Sequence, residues 1–297
     1  MHDELLLPAY WDEAMNDLPK PLISAGDLQQ RLGKPNLVIL DASYYMAATQ
    51  RDGVEEWKQR RIADAQHFDF DQKICEQGAE YPHTMPSPDL FETDVRALGV
   101  NIDSEIVVYD GMGMFASPRV WWMFRSMGHE NVTILDGGLP AWEAAGLPIN
   151  SSPVAAVAPG NFVANYRPEM FSDAETVLEA LQEDSTRVLD ARSDGRFAGN
   201  EAEPRAGLRG GHMPGARNLP FVDLLDNGFL KPVAELKSQL AAVANPDQRL
   251  IFSCGSGVTA CHLALAAEVA GYKNLSVYDG SWCEWGARQE LPIATGK

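Results

Sequence analysis

Cys254 closes an apolar run, Leu250-Ile251-Phe252-Ser253, and is followed at once by Gly255-Ser256-Gly257-Val258-Thr259. A helix-like stretch, Cys261 to Ala270, begins just beyond. A strand that delivers a thiol into a glycine-rich loop at a helix start surrounds its sulfur with backbone N–H groups. Those groups and the positive end of the helix favour negative charge, so the species this arrangement stabilises is a thiolate. The implied chemistry is nucleophilic, with sulfur as the attacking atom. A cysteine at a strand end is otherwise a small, inert hydrophobe. The Gly-x-Gly loop and the helix start are what set Cys254 apart.

Other readings of the loop fail on particular residues. Its G-x-G-x-x-A spacing, with Asp279 lying 24 residues after Gly255, is close to a dinucleotide fingerprint. The same spacing recurs at Asp110-Gly111-x-Gly113-x-x-Ala116, so the loop belongs to the fold and no coenzyme is expected. A phosphatase loop would place an arginine six residues after the cysteine to clamp phosphate. That position is Ala260. The four cysteines, Cys75, Cys254, Cys261 and Cys283, form no C-x-x-C pair, and no metal is expected. Cys261-His262 falls on the predicted helix and is assigned to packing.

Two guanidinium groups are candidates to hold an anionic substrate. Arg196 and Arg205 lie in a Gly-, Pro- and charge-rich stretch, Asp194 to Gly211, after a strand ending at Asp190. Loops at the carboxyl ends of parallel strands are where such sheets build their sites. The planar fork of arginine meets a carboxylate with two parallel bonds, which lysine cannot do. Arg192 and Arg209 are read as structural or solvent-facing, and His212, just before Pro214-Gly215, as a structural hydrogen-bonder. Trp282 and Trp285 follow the last strand, where they could wall a cleft, and Trp121 and Trp122 lie on a helix at the expected domain interface. Aromatic residues at such positions are more often core than site.

The elements that must position these groups alternate between strand and helix. Buried strands are expected at Leu37–Asp41, Ile106–Asp110, Val132–Asp136 and Val188–Asp190, with helices at Pro88–Leu98 and Pro118–Met127 between them. This is the pattern of a parallel α/β sheet. Residues 1–25 read as an irregular arm, Arg51–Asp64 as solvated helix or loop, and Asp69–Pro88 as a long functional loop. The pattern occurs twice. Asp110 answers Cys254 at a distance of 144 residues, while Asn131, Asp136-Gly137 and Trp142 answer Asn274, Asp279-Gly280 and Trp285 at 143. The expected division is a first domain at 1–150, a Ser/Pro/Ala-rich linker at 151–160 and a second domain at 161–297. Asp110 cannot act as a sulfur nucleophile, so the chemistry belongs to the second copy.

A net charge of −18 over 297 residues argues against nucleic acid and anionic membranes as partners. It also requires any anionic substrate to find a local basic pocket. No apolar stretch is long enough to span a bilayer. The opening Met-His-Asp-Glu-Leu-Leu-Leu-Pro lacks a basic start and a long apolar core. With few cysteines, the expected compartment is the reducing cytoplasm.

Taken together, the loop Cys254-Gly255-Ser256-Gly257-Val258-Thr259 and the repeat around it resemble the tandem-domain rhodanese superfamily. Supporting motifs are Ser117-Pro118-Arg119-Val120-Trp121-Trp122, Gly195-Arg196-Phe197, Glu203-Pro204-Arg205, Gly211-His212-Met213-Pro214-Gly215-Ala216 and Tyr278-Asp279-Gly280-Ser281-Trp282-x-Glu284-Trp285. The resemblance implies two rhodanese-like α/β domains, each a parallel sheet flanked by helices. The implied activity is sulfur transfer from 3-mercaptopyruvate through a Cys254 persulfide, held by the loop Gly255 to Thr259, to a thiol such as thioredoxin or to cyanide. It further implies substrate binding by Arg196 and Arg205, and a relay of Asp71, His83 and Ser256. Thiosulfate-specific members carry Arg and Lys after the cysteine, whereas Gly255 and Ser256 are neutral. Two alternatives are a thiosulfate:cyanide sulfurtransferase and a non-catalytic rhodanese-like module.

Overall fold

The computed structural model describes residues 20–296, so most of the expected N-terminal arm, residues 1–19, lies outside the described part. Each half is built on one five-stranded parallel sheet. In the first half the strands are β1 (Leu22–Ile23), β2 (Leu37–Asp41), β3 (Gln66–His67), β4 (Glu105–Tyr109) and β5 (Val132–Leu135). In the second they are β6 (Phe171–Ser172), β7 (Thr186–Asp190), β8 (Arg217–Asn218), β9 (Arg249–Ser253) and β10 (Leu275–Tyr278). The spatial orders are β3-β2-β4-β5-β1 and β8-β7-β9-β10-β6, the same path traced twice. The central pairings set Ile39 beside Val107 and Val188 beside Ile251. These runs are apolar throughout because helices cover both faces of the sheet. Residues 20–25 are not part of an irregular arm. Leu22 and Ile23 pair with Ile134 and Leu135 at the sheet edge.

The helices of the first half are α1 (Ala25–Arg31), α2 (Gly53–Gln59), α3 (Pro88–Ala97), α4 (Ser117–Ser126) and α5 (Gly138–Ala144). Those of the second are α6 (Ala174–Ala180), α7 (Asp194–Ala198), α8 (Val233–Ala241), α9 (Ala260–Ala270) and α10 (Ser281–Trp285). Local chemistry sets their ends. The Ser87 hydroxyl accepts the Leu90 N–H ahead of Pro88 at the start of α3, and α9 stops at Gly271 with φ 99°. Helix α9 is apolar on nearly every side, as expected of a helix enclosed by protein. It packs against α4, and one continuous apolar cluster runs from Phe91 and Trp121 of the first half to Leu263 and Leu265 of the second. The segment 151–160 carries no helix or strand and lies on the first half, where the Gly160 N–H donates to Arg96 O at 2.8 Å.

In both sheets the chain turns one way after the second strand in sequence and the other way after the fourth. The crevice at that switch, at the carboxyl ends of β7 and β9, is where a doubly wound sheet receives ligands. Ala191 and Cys254 stand on its two sides.

Candidate active site

A cleft of about 290 Å³ opens between the halves. Its floor is Cys254-Gly255-Ser256, one wall is Arg196 and Arg205, and the other is Tyr44, Met46 and Phe115 from the first half. Cys254 is 2% exposed, at the end of β9. Its backbone is fixed by α10: the Trp282 N–H donates to Cys254 O at 3.0 Å and the Cys283 N–H to Gly255 O at 2.8 Å. Ser281 adds a second hold. Its hydroxyl accepts the N–H of Cys254 at 3.1 Å and of Gly257 at 3.2 Å, while donating to Tyr278 O at 2.8 Å. Ser281 itself sits at φ 48°, and Gly138 takes φ 56° at the matching point of the first half. Gly257 at φ 77° must be glycine, since a Cβ there would stand 2.9 Å from Asp279 O.

The first half supplies a control on what this loop holds. There the Asp110 carboxylate stands where Cys254 stands. Its Oδ2 accepts the N–H groups of Phe115, Ala116 and Ser117 at 2.8, 2.9 and 2.9 Å, and its Oδ1 accepts that of Met112 at 2.9 Å. A side-chain anion is thus bound by the backbone of the loop and the first turn of the following helix. By the repeat, the matching positions in the second half are Ser256, Thr259, Ala260 and Cys261, of which the Cys261 N–H donates to Val258 O at 3.2 Å. This corrects the expectation of an unbroken cradle from Gly255 to Thr259, because the Gly257 N–H is turned to Ser281 instead. Burial pushes the Cys261 thiol up to about 12 and also raises those of Cys283 and Cys75, so these three stay protonated near neutrality.

Arg196 and Arg205 converge over Gly255. A Cβ on Gly255 would lie 3.0 Å from Arg196 Nη2 and 3.9 Å from Arg205 Nη1. The two are not equivalent. Arg196 gives Nε and Nη2 to Glu203, at 3.2 and 2.6 Å, whereas Arg205 has no carboxylate in ion-pair range among the described residues. Glu203 is in turn held by Arg192 Nη1 at 2.7 Å, and Arg192 forks onto Asp190 while lying 4.1 Å over the Trp282 ring. Arg192 is therefore buried and structural rather than solvent-facing. Arg209 is structural as well, donating to the carbonyls of Trp285, Gly286 and Leu291. His212 stacks on Phe197 at 3.8 Å and bonds to its carbonyl oxygen. Trp282 and Trp285 do not wall the cleft. The short α10 turns both inward, where their exposure is 0% and their indole N–H groups donate to Arg209 O and Pro292 O.

Across the cleft the long loop after β3 brings His83 onto the active loop. His83 Nδ1 lies 3.0 Å from Ser256 Oγ, and Nε2 lies 2.7 Å from Asp71 Oδ1. A carboxylate can only accept, so Nε2 carries the proton and, in the neutral ring, Nδ1 accepts from the Ser256 hydroxyl. The hydrogen bond from His83 holds the Asp71 carboxyl below its ordinary range, against the opposing pull of burial. The His83 ring is packed edge-on by Tyr44 and Phe70, with centroids at 5.1 and 5.4 Å. Asp71, His83 and Ser256 thus form one hydrogen-bonded chain drawn from both halves.

Three residues at this seam were not singled out for a role by the sequence reading. Arg119 of α4 and Asp279 after β10 join the halves beneath His83, and Ser281 ties the loop to α10. A signal existed only for Ser281: it stands where the repeat has Gly138.

Fold and cleft define a two-domain rhodanese. The rhodanese-like domain model matches residues 24–145 and again 173–288, and the chain belongs to that family. Among its relatives, the 3-mercaptopyruvate sulfurtransferase of Rattus norvegicus is 38% identical over 294 residues, covering 96% of this chain and 98% of that one. The thiosulfate sulfurtransferase of Bos taurus is 40% identical over 276 residues, covering 90% and 92%. The crystal structure of the 3-mercaptopyruvate sulfotransferase SseA from Escherichia coli superposes with a TM-score of 0.81 at 35% identity, over 88% of this chain and 98% of that one. Overall identity therefore does not separate the two donor classes. No helix among the described residues is long and apolar enough to cross a membrane, and no cluster of side chains there could hold a metal ion.

Proposed function

We propose that this protein transfers the sulfur of 3-mercaptopyruvate through a persulfide on Cys254 to a thiol acceptor, releasing pyruvate. The observation that carries this reading is the Asp71–His83–Ser256 chain beside the thiol. Thiosulfate needs no such device. Attack on its outer sulfur expels sulfite, which leaves as a stable anion without gaining a proton. Attack on the sulfur of mercaptopyruvate breaks a carbon–sulfur bond and leaves the electron pair on the enolate of pyruvate. That carbon must gain a proton, and the persulfide must lose the one the substrate thiol carried.

In the proposed step the Cys254 thiolate forms the S–S bond while the C–S bond breaks. The proton given up by the substrate sulfur reaches the methylene carbon through Ser256 Oγ and His83, whose imidazolium form Asp71 stabilises. Arg196 and Arg205 hold the substrate carboxylate. N–H groups of the loop and helix start at Ser256, Thr259 and Ala260 hold the persulfide anion, as the equivalent groups of Met112, Phe115 and Ala116 hold Asp110. The first half, in this division of labour, supplies Asp71 and His83 of the relay and one wall but no nucleophile. The neutral Gly255 and Ser256 make thiosulfate the poorer donor. A reduced thiol protein of the thioredoxin type, or cyanide, removes the sulfur, and the free cysteines suit a reducing cytoplasm.

Cys254→Ser abolishes turnover with both donors, and mass spectrometry after donor exposure finds one added sulfur on Cys254 of the parent. Activity in the serine variant, or kcat/KM favouring thiosulfate over 3-mercaptopyruvate in the parent, overturns the reading.

A further inference from the structure

The relay histidine rests on an unusual support. The Arg119 side chain is wholly buried, and it comes from the first half. Its Nη2 donates to His83 O at 2.7 Å and to Asp279 Oδ1 at 2.8 Å, and its Nη1 reaches Gly257 O at 3.4 Å. The other oxygen of Asp279, Oδ2, accepts the Met85 N–H at 2.7 Å. One ion pair therefore grips the backbone on both sides of residue 84 and the active loop next to Ser256. His83 sits at φ 64°, in the left-handed region that few non-glycine residues occupy.

Holding the halves together does not require this pair. An apolar cluster already spans them, and a buried ion pair is seldom better for stability than hydrophobic groups of the same volume. Arg119 even leaves its Nε without a partner in the interior. What a guanidinium and a carboxylate add is direction, through acceptors and donors on three separate segments. The other half has a simpler version of the contact: Asp136, the repeat partner of Asp279, accepts the Leu230 N–H at 2.9 Å and has no arginine in ion-pair range among the described residues. The elaborated version is the one beneath the histidine.

We infer that Arg119 and Asp279 are positioning residues that fix the His83 backbone so that its ring spans Ser256 and Asp71. The inference rests on the relay reading above. Its consequence is specific to the donor. Only a donor whose carbon leaving group must be protonated needs the ring in place, and a misplacement of about 1 Å costs such a step on the order of 100-fold.

The test compares kcat/KM for 3-mercaptopyruvate and for thiosulfate, with cyanide as acceptor, in Arg119→Lys, Asp279→Asn, His83→Asn and the doubles with His83→Asn. The ratio of mercaptopyruvate to thiosulfate is expected to fall about 10-fold or more in each single variant. In the His83→Asn background Arg119→Lys then lowers the ratio no further, since the group it positions is gone. Equal losses with both donors mean a structural role and overturn the inference. A further fall of the same size in the double variant also overturns it. An unaltered ratio in His83→Asn itself refutes the relay and takes this inference with it. Asp279→Asn leaves a buried guanidinium unpaired and can fail to fold. Arg119→Lys keeps both charges, and the outcome is decided on it.

Discussion

The two arginines over Gly255 make different contributions, and replacing each by glutamine separates them. Arg205 faces the cleft with no carboxylate in ion-pair range among the described residues, beside Tyr44 of the other half and near enough to Asp71 to join His83 in holding its carboxyl below the ordinary range. A charge-assisted hydrogen bond contributes about 1.5–3 kcal/mol. At about 1.4 kcal/mol per factor of ten, Arg205→Gln lowers kcat/KM for 3-mercaptopyruvate by about 10- to 150-fold. The loss falls mainly on KM, because the carboxylate is held equally before and during sulfur transfer. Arg196 has two of its donors committed to Glu203, so Arg196→Gln removes less binding. It removes more stability, since Glu203, whose side chain is 2% exposed, keeps only Arg192 as a partner. The assay is pyruvate release coupled to lactate dehydrogenase, run beside the thiosulfate–cyanide reaction and a thermal melt. Arg205→Gln should spare the melting temperature and hit mercaptopyruvate harder than thiosulfate. An equal loss on both donors, or a larger KM effect from Arg196→Gln, would refute the assignment of the free guanidinium to the carboxylate.

Two further outcomes follow from distances already given. Gly255→Lys adds a third cation beside Arg196 and Arg205, and like charges that approach to about 4 Å repel by about 1 kcal/mol in water and about 4 kcal/mol at a protein surface. That displaces the carboxylate clamp and supplies a cation next to the thiol, so the donor ratio moves toward thiosulfate by about tenfold; an unmoved ratio counts against the clamp. Burial raises the Asp136 carboxyl from 3.8 to about 6, so between those values the folded chain binds more protons than the unfolded one. Stability is thus favoured at low pH and lost as pH rises through about 6, by at most about 3 kcal/mol. Asp136→Asn, whose amide oxygen can still accept the Leu230 N–H, should raise the melting temperature more at pH 7.5 than at pH 4.5, and the reverse order would show the sign to be wrong.

Much of the scaffold is legible in the chain because its signals are local. Apolar runs such as Ile106-Val107-Val108 can only be strands covered on both faces, and the glycine loops announce the strand-to-helix turns. The repeat then gives two copies of one sheet, and the exchange of Asp110 for Cys254 says which copy has the nucleophile. Arg119 was not legible, because an arginine on a helix next to two tryptophans reads as an interface residue whether or not its head is buried. Asp279 entered as the repeat partner of Asp136 and as the acid of a coenzyme motif that the repeat excluded, and its true contacts, with Met85 and Arg119, are 194 and 160 residues away. The tryptophans of α10 are core, the commoner reading for such positions, for a geometric reason. A five-residue helix turning back under the loop points inward the side chains that a simple extension of the strand would have left in the cleft.

Asp110 also shows what one chain does with two versions of the same loop. Its carboxylate is a permanent tenant, gathering four backbone amides and the Ser117 hydroxyl at every moment. Its counterpart half can fill that berth only while a sulfur atom is in transit. Under the proposed function, the first half holds its loop closed on its own carboxylate, and the second half leaves its loop incompletely satisfied between turnovers. Loading Cys254 with sulfur should therefore tighten the working loop toward the state its twin never leaves, raising both its amide-exchange protection and the temperature at which the whole chain melts.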